Sequence, residues 1–376
     1  MRSVMSRETM SWVIFVGVLS TVIILINAYF AIRLTYALPP RSAWRYLIWT
    51  AIVVLSSIVV ASPLIRMFVG QVPPALNKLI LYFGYGYLGF TAILFFFLLG
   101  IDVLFLISRK TFSQDILDQT RRDLLFSYLP WSALTLTSSF TVAGFRTAVK
   151  GPEVISVDIP KKGLPSSLHG FTIAQISDLH VSTTLKKDYV ENVVEKTMAL
   201  NPDMIVLTGD IVDGDFNLLK EDVLPLKNLK APHGVYFVTG NHEYYWGAYD
   251  WEKKFEEFGF TVLHNAHKVL EVKDAKLVIA GIPDFTAQTF KLDKLDPEKA
   301  LAGAPPRDFT VFLAHQPKAH ALIEGKDVDL HLAGHTHAGQ FFPPSLFIRF
   351  FHKYHQGLNF HDEKLMVYVN KGTGYW

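Results

Sequence analysis

The sequence predicts a multi-pass α-helical membrane region followed by one α/β domain. Three observations carry that reading. The first 150 of the 376 residues hold four long uncharged runs. Charge is segregated: residues 1–150 carry 13 Lys and Arg against 5 Asp and Glu, the rest carry 23 against 29, and all 14 His lie between His169 and His361. From Phe171 onward, short β-branched runs alternate with helical patterns, the signature of an α/β domain. The boundaries read as 1–150 for a four-helix transmembrane region, 151–170 for a linker or entry strand and 171–376 for the globular domain. A hydrophobic share of 50% and a mean hydropathy of +0.25 agree with a membrane class. The absence of Cys excludes disulfide staples, zinc ribbons, iron–sulfur clusters and a thiol nucleophile.

The four runs are Thr9–Ile32, Tyr46–Ile65, Leu79–Ile101 and Leu124–Phe145, of 24, 20, 23 and 22 residues. A helix rises about 1.5 Å per residue, so each can cross a hydrocarbon core of roughly 30 Å. The fourth is the most polar, with Ser132, Thr135, Thr137, Ser138, Ser139 and Thr141, and a re-entrant or surface-lying segment is its alternative. The first run is too long for a cleaved leader and has three more behind it, which favours a retained helix. Trp12, Trp44, Trp49, Tyr82, Tyr128 and Trp131 stand near the run ends, where aromatic belts form. Asp102 closes the third run, near enough to its end to reach the interface. Thr111–Asp123 reads as a short amphipathic connector. Basic residues are nearly balanced between the two sets of loops, so the side of the membrane faced by the globular domain stays open.

In the globular part, strands are expected at Phe171–Ile176, Met204–Leu207, Val235–Val238, Leu277–Ala280, Phe309–Ala314, Leu330–Leu332 and Met366–Val369. Helices are expected at Lys186–Leu200, where Val190, Val193, Val194 and Met198 share a face, and at Asp250–Phe258 before Gly259. Five of these strands run into polar motifs: Asp178-Leu179-His180, Gly209-Asp210 with Asp213, Gly240-Asn241-His242-Glu243, His315, and Gly334-His335-Thr336-His337. The carboxyl ends of strands are where α/β sheets place their sites. Residues two apart in an extended segment share a face, so Asp178 with His180, and His335 with His337, can address one centre. Singly, each motif has a plain structural reading as a turn or a hydrogen-bonded loop residue. The ordered set of five does not.

Asp178, His180, Asp210, Asn241, His315, His335 and His337 make seven N/O donors. That exceeds one tetrahedral ion and suits two ions sharing a carboxylate. Imidazole and carboxylate without thiolate favour Mn, Fe, Zn, Co or Ni over Ca. Two such ions about 4 Å apart can hold a bridging hydroxide at neutral pH and clamp the oxygens of an in-line displacement at phosphorus. His242 follows a donor directly and suits general-acid work, with a further ligand as its alternative. Glu243 and Asp213 are expected to orient ligands.

The order Asp-x-His, Gly-Asp-x-x-Asp, Gly-Asn-His-Glu, His, Gly-His-Thr-His resembles the calcineurin-like metallophosphoesterase family, from about Phe171 to the C-terminus. With the helices upstream, it is similar to the membrane-anchored branch of that family. The resemblance implies a β-sandwich flanked by helices. It implies one metal on Asp178, His180, Asp210 and His337, a second on Asp210, Asn241, His315 and His335, and His242 beside the scissile phosphate. Gly339-Gln340 also fits. Ala338 stands where relatives commonly have Gly. Relatives usually continue past Gly374-Tyr375-Trp376 into a closing strand, which puts the sheet edge in doubt.

Anchoring by helices suggests a substrate in or near the bilayer. Phe341, Phe342, Leu346, Phe347, Ile348, Phe350 and Phe351 after the last motif, and Tyr244, Tyr245, Trp246, Tyr249 and Trp251 after the central one, either form an apolar rim for a lipid tail or pack a core. The expected substrate is a lipid-linked phosphodiester or pyrophosphate, of the UDP-diacylglucosamine or glycerophospholipid type by resemblance. The alternatives are a soluble phosphoester with the helices as anchor only, or a non-catalytic metal-binding sensor or scaffold. The acidic balance of the domain disfavours nucleic acid. Oligomeric state is not read from the sequence.

Overall fold

The computed structural model describes residues 7–66, 74–111 and 124–375. Its contacts divide the chain into two compact units, Met1–Thr147 and Ala148–Trp376.

The first unit is helical: α1 (Arg7–Thr35), α2 (Ala43–Arg66), α3 (Pro74–Thr111) and α4 (Leu129–Lys150), the last entered through a π-turn at Leu124–Tyr128. Val16–Thr35, Ala43–Ala61 and Leu79–Ile107 are long and apolar enough to cross a membrane. The fourth expected span is a helix but is not among these three, because Ser and Thr dilute its apolar surface. Several of those hydroxyls turn back on their own helix, as in Thr135 Oγ1 to the Trp131 carbonyl (3.0 Å) and Ser138 Oγ to that of Leu134 (2.9 Å). Phe30, Leu34, Leu94, Leu98 and Ala133 form the packed interior of this unit. Asp102 has two partners on α1: Arg33 Nη2 at 2.7 Å and the Tyr29 hydroxyl at 2.6 Å. The expected connector beyond Thr111, and the Trp12 side chain, lie outside the described residues.

The second unit is built on two sheets. In the first, β1 (Ile173–Ile176), β2 (Met204–Leu207), β3 (Val235–Phe237) and β4 (Thr261–Val262) run parallel in that order. The second has the order β5-β6-β7-β8-β10-β9, from β5 (Ala266–Val272), β6 (Ala275–Gly281), β7 (Phe309–Leu313), β8 (Leu330–Ala333), β9 (Gly357–Phe360) and β10 (Met366–Val369). Its four central strands are parallel, and β5 and β9 lie antiparallel at the two edges.

Side-chain alternation explains the layers. Met204 and Val206 of β2 turn inward with Leu277, Ile279, Val311, Leu313, Leu330 and Leu332 of the second sheet, forming the sandwich interior. Ile205 and Leu207 turn outward onto helices α5 (Lys187–Ala199), through Val190, Val193 and Val194, and α7 (Ala248–Glu257), through Trp251 and Phe255. The outer face of the second sheet, with Ala280, Phe312 and Val367, packs Ala300, Ala319 and Ile323 of short helical turns. The domain is therefore a β-sandwich flanked by helices on both faces. The last strand, β10, is paired on both sides, by β8 and β9. Residues 151–170 contain no strand; Ile159 and Leu164 pack on the sandwich core, and Lys161 pairs with Asp329.

Candidate metal centre

Five loops meet at the carboxyl ends of β1, β2, β3, β7 and β8. Parallel strands deliver all these ends to one side, so residues far apart in sequence become neighbours. The loops are tied to one another through backbone bonds: Asp178 N–H to the Gly209 carbonyl, His180 N–H to that of Asp210, and Gly334 N–H to that of His315.

Three groups of side chains each bring their ligand atoms within 4.8 Å of one another: Asp178, His180 and His337; His180, Asp210 and His242; Asp210, His315 and His335. Asp210 and His180 each belong to two groups, which links the three into one cluster. Asn241 joins it through Oδ1, 3.0 Å from His335 Nδ1. The structure thus brings all seven expected donors, and His242, to one place.

The arrangement has a polarity problem that a cation solves. His315 Nδ1 lies 2.8 Å from the Thr208 carbonyl, which can only accept, so Nδ1 carries a proton and Nε2 is the nitrogen that faces Asp210 Oδ2, 3.0 Å away; burial opposes a charged ring, but Asp210 prevails and the His315 pKa is raised well above its usual value. His180 Nε2 and His337 Nε2 face each other at 3.1 Å. His337 Nε2 is also 3.4 Å from Asp178 Oδ1, and His180 Nε2 is 3.9 Å from Asp210 Oδ2. So many buried acceptor atoms gathered on one point are costly without positive charge, proton or metal, between them. Burial pushes the His180 and His335 pKa values down to about 3, which leaves both rings neutral and able to ligate. Burial raises that of Asp178; at Asp210 burial acts the same way, but His315 overrides it and the carboxyl is held below its usual range. The donor set and its geometry fit transition-metal cations.

The backbone is committed to this purpose. Asp178, His180, Asp210, His335 and His337 all have φ between 47° and 73°, the left-handed region that non-glycine residues rarely enter. Five such residues in one cluster mark stored strain at a functional site. Close approach demands glycine at Gly240, where a Cβ would fall 2.2 Å from Asp210 Oδ1, and at Gly334, where it would fall 2.1 Å from Asp178 Oδ2.

The supporting residues carry most of the remaining hydrogen bonds. Glu243, in the short helix α6 (Asn241–Tyr245), accepts from the N–H groups of Gly240 (2.6 Å), Asp210 (2.9 Å), Ile211 (2.7 Å) and Val212 (3.2 Å), stitching the β2 loop to the β3 loop. Burial, then the nearby Asp210 carboxylate, push its pKa up to about 7. Asp213 Oδ1 lies 3.0 Å from His242 Nδ1 and accepts from Trp246 Nε1 at 2.9 Å. That fixes the His242 ring and leaves Nε2 as the nitrogen not bonded to Asp213. Burial opposes the charged form of His242, but the Asp213 hydrogen bond and the Asp210 charge prevail and its pKa is raised. The residues missed by sequence reasoning are supports of this kind. Thr373 and Gly374 donate backbone N–H bonds to the Ser177 and Asp178 carbonyls (2.8 and 2.9 Å) and brace the Asp178 loop. Buried Asp284 accepts from Gln316, the neighbour of His315. A Thr-Gly pair near the end of the chain and a lone Asp after β6 offer no motif to find them by.

The aromatic rim separates into two populations. Tyr244 and Trp251 are buried core residues, whereas Tyr245, Trp246, Tyr249, Phe341, Leu346, Phe347, Phe350 and Phe351 are exposed.

Comparison with known proteins gives the same outline. Residues 171–339 match the calcineurin-like phosphoesterase family. The chain is 36% identical over 252 residues to a zebrafish (Danio rerio) "transmembrane protein with metallophosphoesterase domain", covering 65% of this chain and 58% of that one. A Bos taurus protein of the same name is 34% identical over 271 residues, covering 69% and 60%. An uncharacterized metallophosphoesterase of Helicobacter pylori is 34% identical over 258 residues, covering 68% of each chain. The chain thus spans about three fifths of the length of the two vertebrate proteins. Across this extent, the chain belongs to the calcineurin-like phosphoesterase family.

Proposed function

We propose that the second unit is a dinuclear-metal phosphoester hydrolase held at a membrane by the multi-pass helices of the first. The observation that carries the proposal is the position of Asp210, whose carboxylate lies 3.0 Å from His315 Nε2 on one side and 3.9 Å from His180 Nε2 on the other. Asp178, His180, Asp210 and His337 would hold one cation. Asp210, Asn241, His315 and His335 would hold the second, with Asp210 shared. Bound there, Mn, Fe or Zn would supply Lewis-acid polarisation of phosphoryl oxygen and acidify water.

The protein's own groups do the rest. Neutral His180 and His335 present lone pairs. Glu243 holds the two loops that carry Asp210 and Asn241 in register. Asp213 accepts from His242 Nδ1 and so leaves Nε2 to stabilise charge on a phosphoryl oxygen or give a proton to the leaving oxygen. Trp246, bonded to the same carboxylate oxygen, keeps Asp213 from swinging away.

The substrate is proposed to be lipid-linked, a phosphodiester or pyrophosphate, supported by membrane-length helices and by exposed aromatics beside the site. The test uses the full chain in detergent, loaded with Mn, against bis-p-nitrophenyl phosphate and then a panel of phospholipids and lipid pyrophosphates. Turnover that His242→Ala abolishes while metal content persists is the expected result. Two bound metals with no ester or anhydride cleaved would sink the hydrolase reading in favour of a sensor. Cleavage of soluble esters alone would sink the lipid part.

A further inference from the structure

Immediately beyond the Gly339-Gln340 turn, the chain forms an eight-residue helix, α8 (Pro344–Phe351), whose sequence is PSLFIRFF. Leu346, Phe347, Phe350 and Phe351 fall within one arc of its surface, and all are exposed; Phe350 and Phe351 are 70% and 80% accessible. Four large apolar side chains on one short helix are not the scattered exposure of an ordinary surface. We infer that α8 is an interfacial helix, whose apolar face lies in the surface of an anionic lipid bilayer with the metal site at its edge.

Charge identifies the occupant. Leu330–His361 contains no Asp or Glu, in a domain that is otherwise rich in them. Within that stretch, Arg349 lies on α8 and Lys353 just beyond it. Arg349 makes no ion pair among the described residues, and its guanidinium rests 5.2 Å from the centre of the Phe350 ring. Aromatic and aliphatic side chains on one face, flanked by cations and free of acids, are what an amphipathic helix offers to anionic headgroups. The chain itself supplies the bilayer, since three of its helices are long and apolar enough to cross one.

The helix is also fastened to the metal loop. Thr336, between His335 and His337, donates its hydroxyl to the His355 carbonyl at 2.7 Å. The His352 ring, at the end of α8, packs edge-on against that of His335 with 5.9 Å between centres. A lipid seated on α8 therefore lies next to residues expected to bind metal. Nothing in the docking depends on hydrolysis, so it can be read without turnover.

The chain has no Cys, so a single introduced thiol is a unique label site. The full chain carrying Phe351→Cys, labelled with an environment-sensitive fluorophore, is reconstituted in vesicles of phosphatidylcholine and phosphatidylglycerol containing doxyl-labelled lipid. Asp274→Cys, in the exposed β5–β6 turn, serves as the reference, and Phe350→Cys repeats the measurement on α8. The expected result is quenching several-fold stronger at 351 and 350 than at 274, weakened when phosphatidylglycerol is omitted or when Arg349→Glu is added. Equal quenching at all three positions would overturn the inference. So would labels on α8 that quench one another between copies without responding to doxyl lipid, which would assign the face to a second copy of the chain.

Discussion

Two regions of the second unit are rich in histidine, and among the described residues only one of them offers a candidate metal-holding set. In the first, His180, His315, His335 and His337 converge with Asp178, Asp210 and Asn241 at strand ends, on backbone held at positive φ. In the second, His320, His331 and His361 cluster with Tyr354 on the outer side of the second sheet. There each ring has one local partner: His320 Nδ1 the Pro317 carbonyl (2.9 Å), His331 Nε2 that of Ala314 (3.1 Å), and His361 Nδ1 the Tyr354 hydroxyl (2.8 Å). Burial lowers the pKa of His331 to about 4 and also lowers that of His320, so these rings stay neutral and pack as aromatics. Among the described residues, no metal-holding group forms there. Histidine content alone is therefore no signal. What separates the regions is several carboxylates and rings gathered on one point, in loops held at positive φ.

Breaking the first region at its shared carboxylate has the largest expected effect. Asp210→Ala removes the group between the two sets of histidines and is expected to abolish both metal binding and turnover, read by elemental analysis and by bis-p-nitrophenyl phosphate hydrolysis. A variant that keeps two metals per chain would show that Asp210 is not shared. Next comes His242→Ala, expected to lower kcat by about 10²–10⁴-fold while metals remain bound. Loss of metal together with activity would make His242 a ligand instead. Glu243→Gln sharpens the role of support: one acceptor oxygen becomes a donor facing backbone N–H groups, and metal affinity is expected to fall about 10–100-fold. Titration with Mn distinguishes that from a change in kcat alone.

The second region supplies the contrasting variant. His320→Ala deletes one of these rings and is expected to leave metal content and kcat unchanged. Its expected cost is about 1 kcal/mol of stability, a fall of roughly 2–4 °C in thermal midpoint for a domain of this size. Any loss of metal in this variant would erase the distinction between the two regions.

The same physics decides what could be read in the sequence. The central strands β2, β7 and β8 are buried on both faces, so they appear as mainly apolar runs, broken only by Thr310 and His331, and their polar ends stand out. The three strands that escaped notice, β4, β5 and β9, are all sheet edges. β4 has two residues, β5 mixes His267, Lys268 and Glu271 into its run, and β9 carries Gly357 and Asn359; each depends on its neighbour rather than on its own propensity. The donors were legible because a metal dictates residue type and position together. Thr373, Gln316 and Asp284 were not, because a hydrogen bond to a backbone group or a second-layer amide can come from many residues at many places.

Ala338 offers the smallest effect and the finest test of how far the site strains its backbone. It follows His337 and sits at φ 52°, ψ 27°, a conformation that costs a residue with a Cβ about 1–2 kcal/mol. Glycine adopts it freely but gives the unfolded chain more entropy, which offsets about 0.5–1 kcal/mol of the relief. Ala338→Gly is therefore expected to gain about 0.5–1 kcal/mol, seen as a rise of roughly 2 °C in the thermal midpoint of the metal-free protein. Metal-loaded protein should show a smaller rise, because ligation by His337 already holds the loop in place. A fall in midpoint would mean that the Ala338 methyl makes contacts worth more than the strain it imposes, and the left-handed run through His335, His337 and Ala338 would then be a packed turn rather than one held open for ligands.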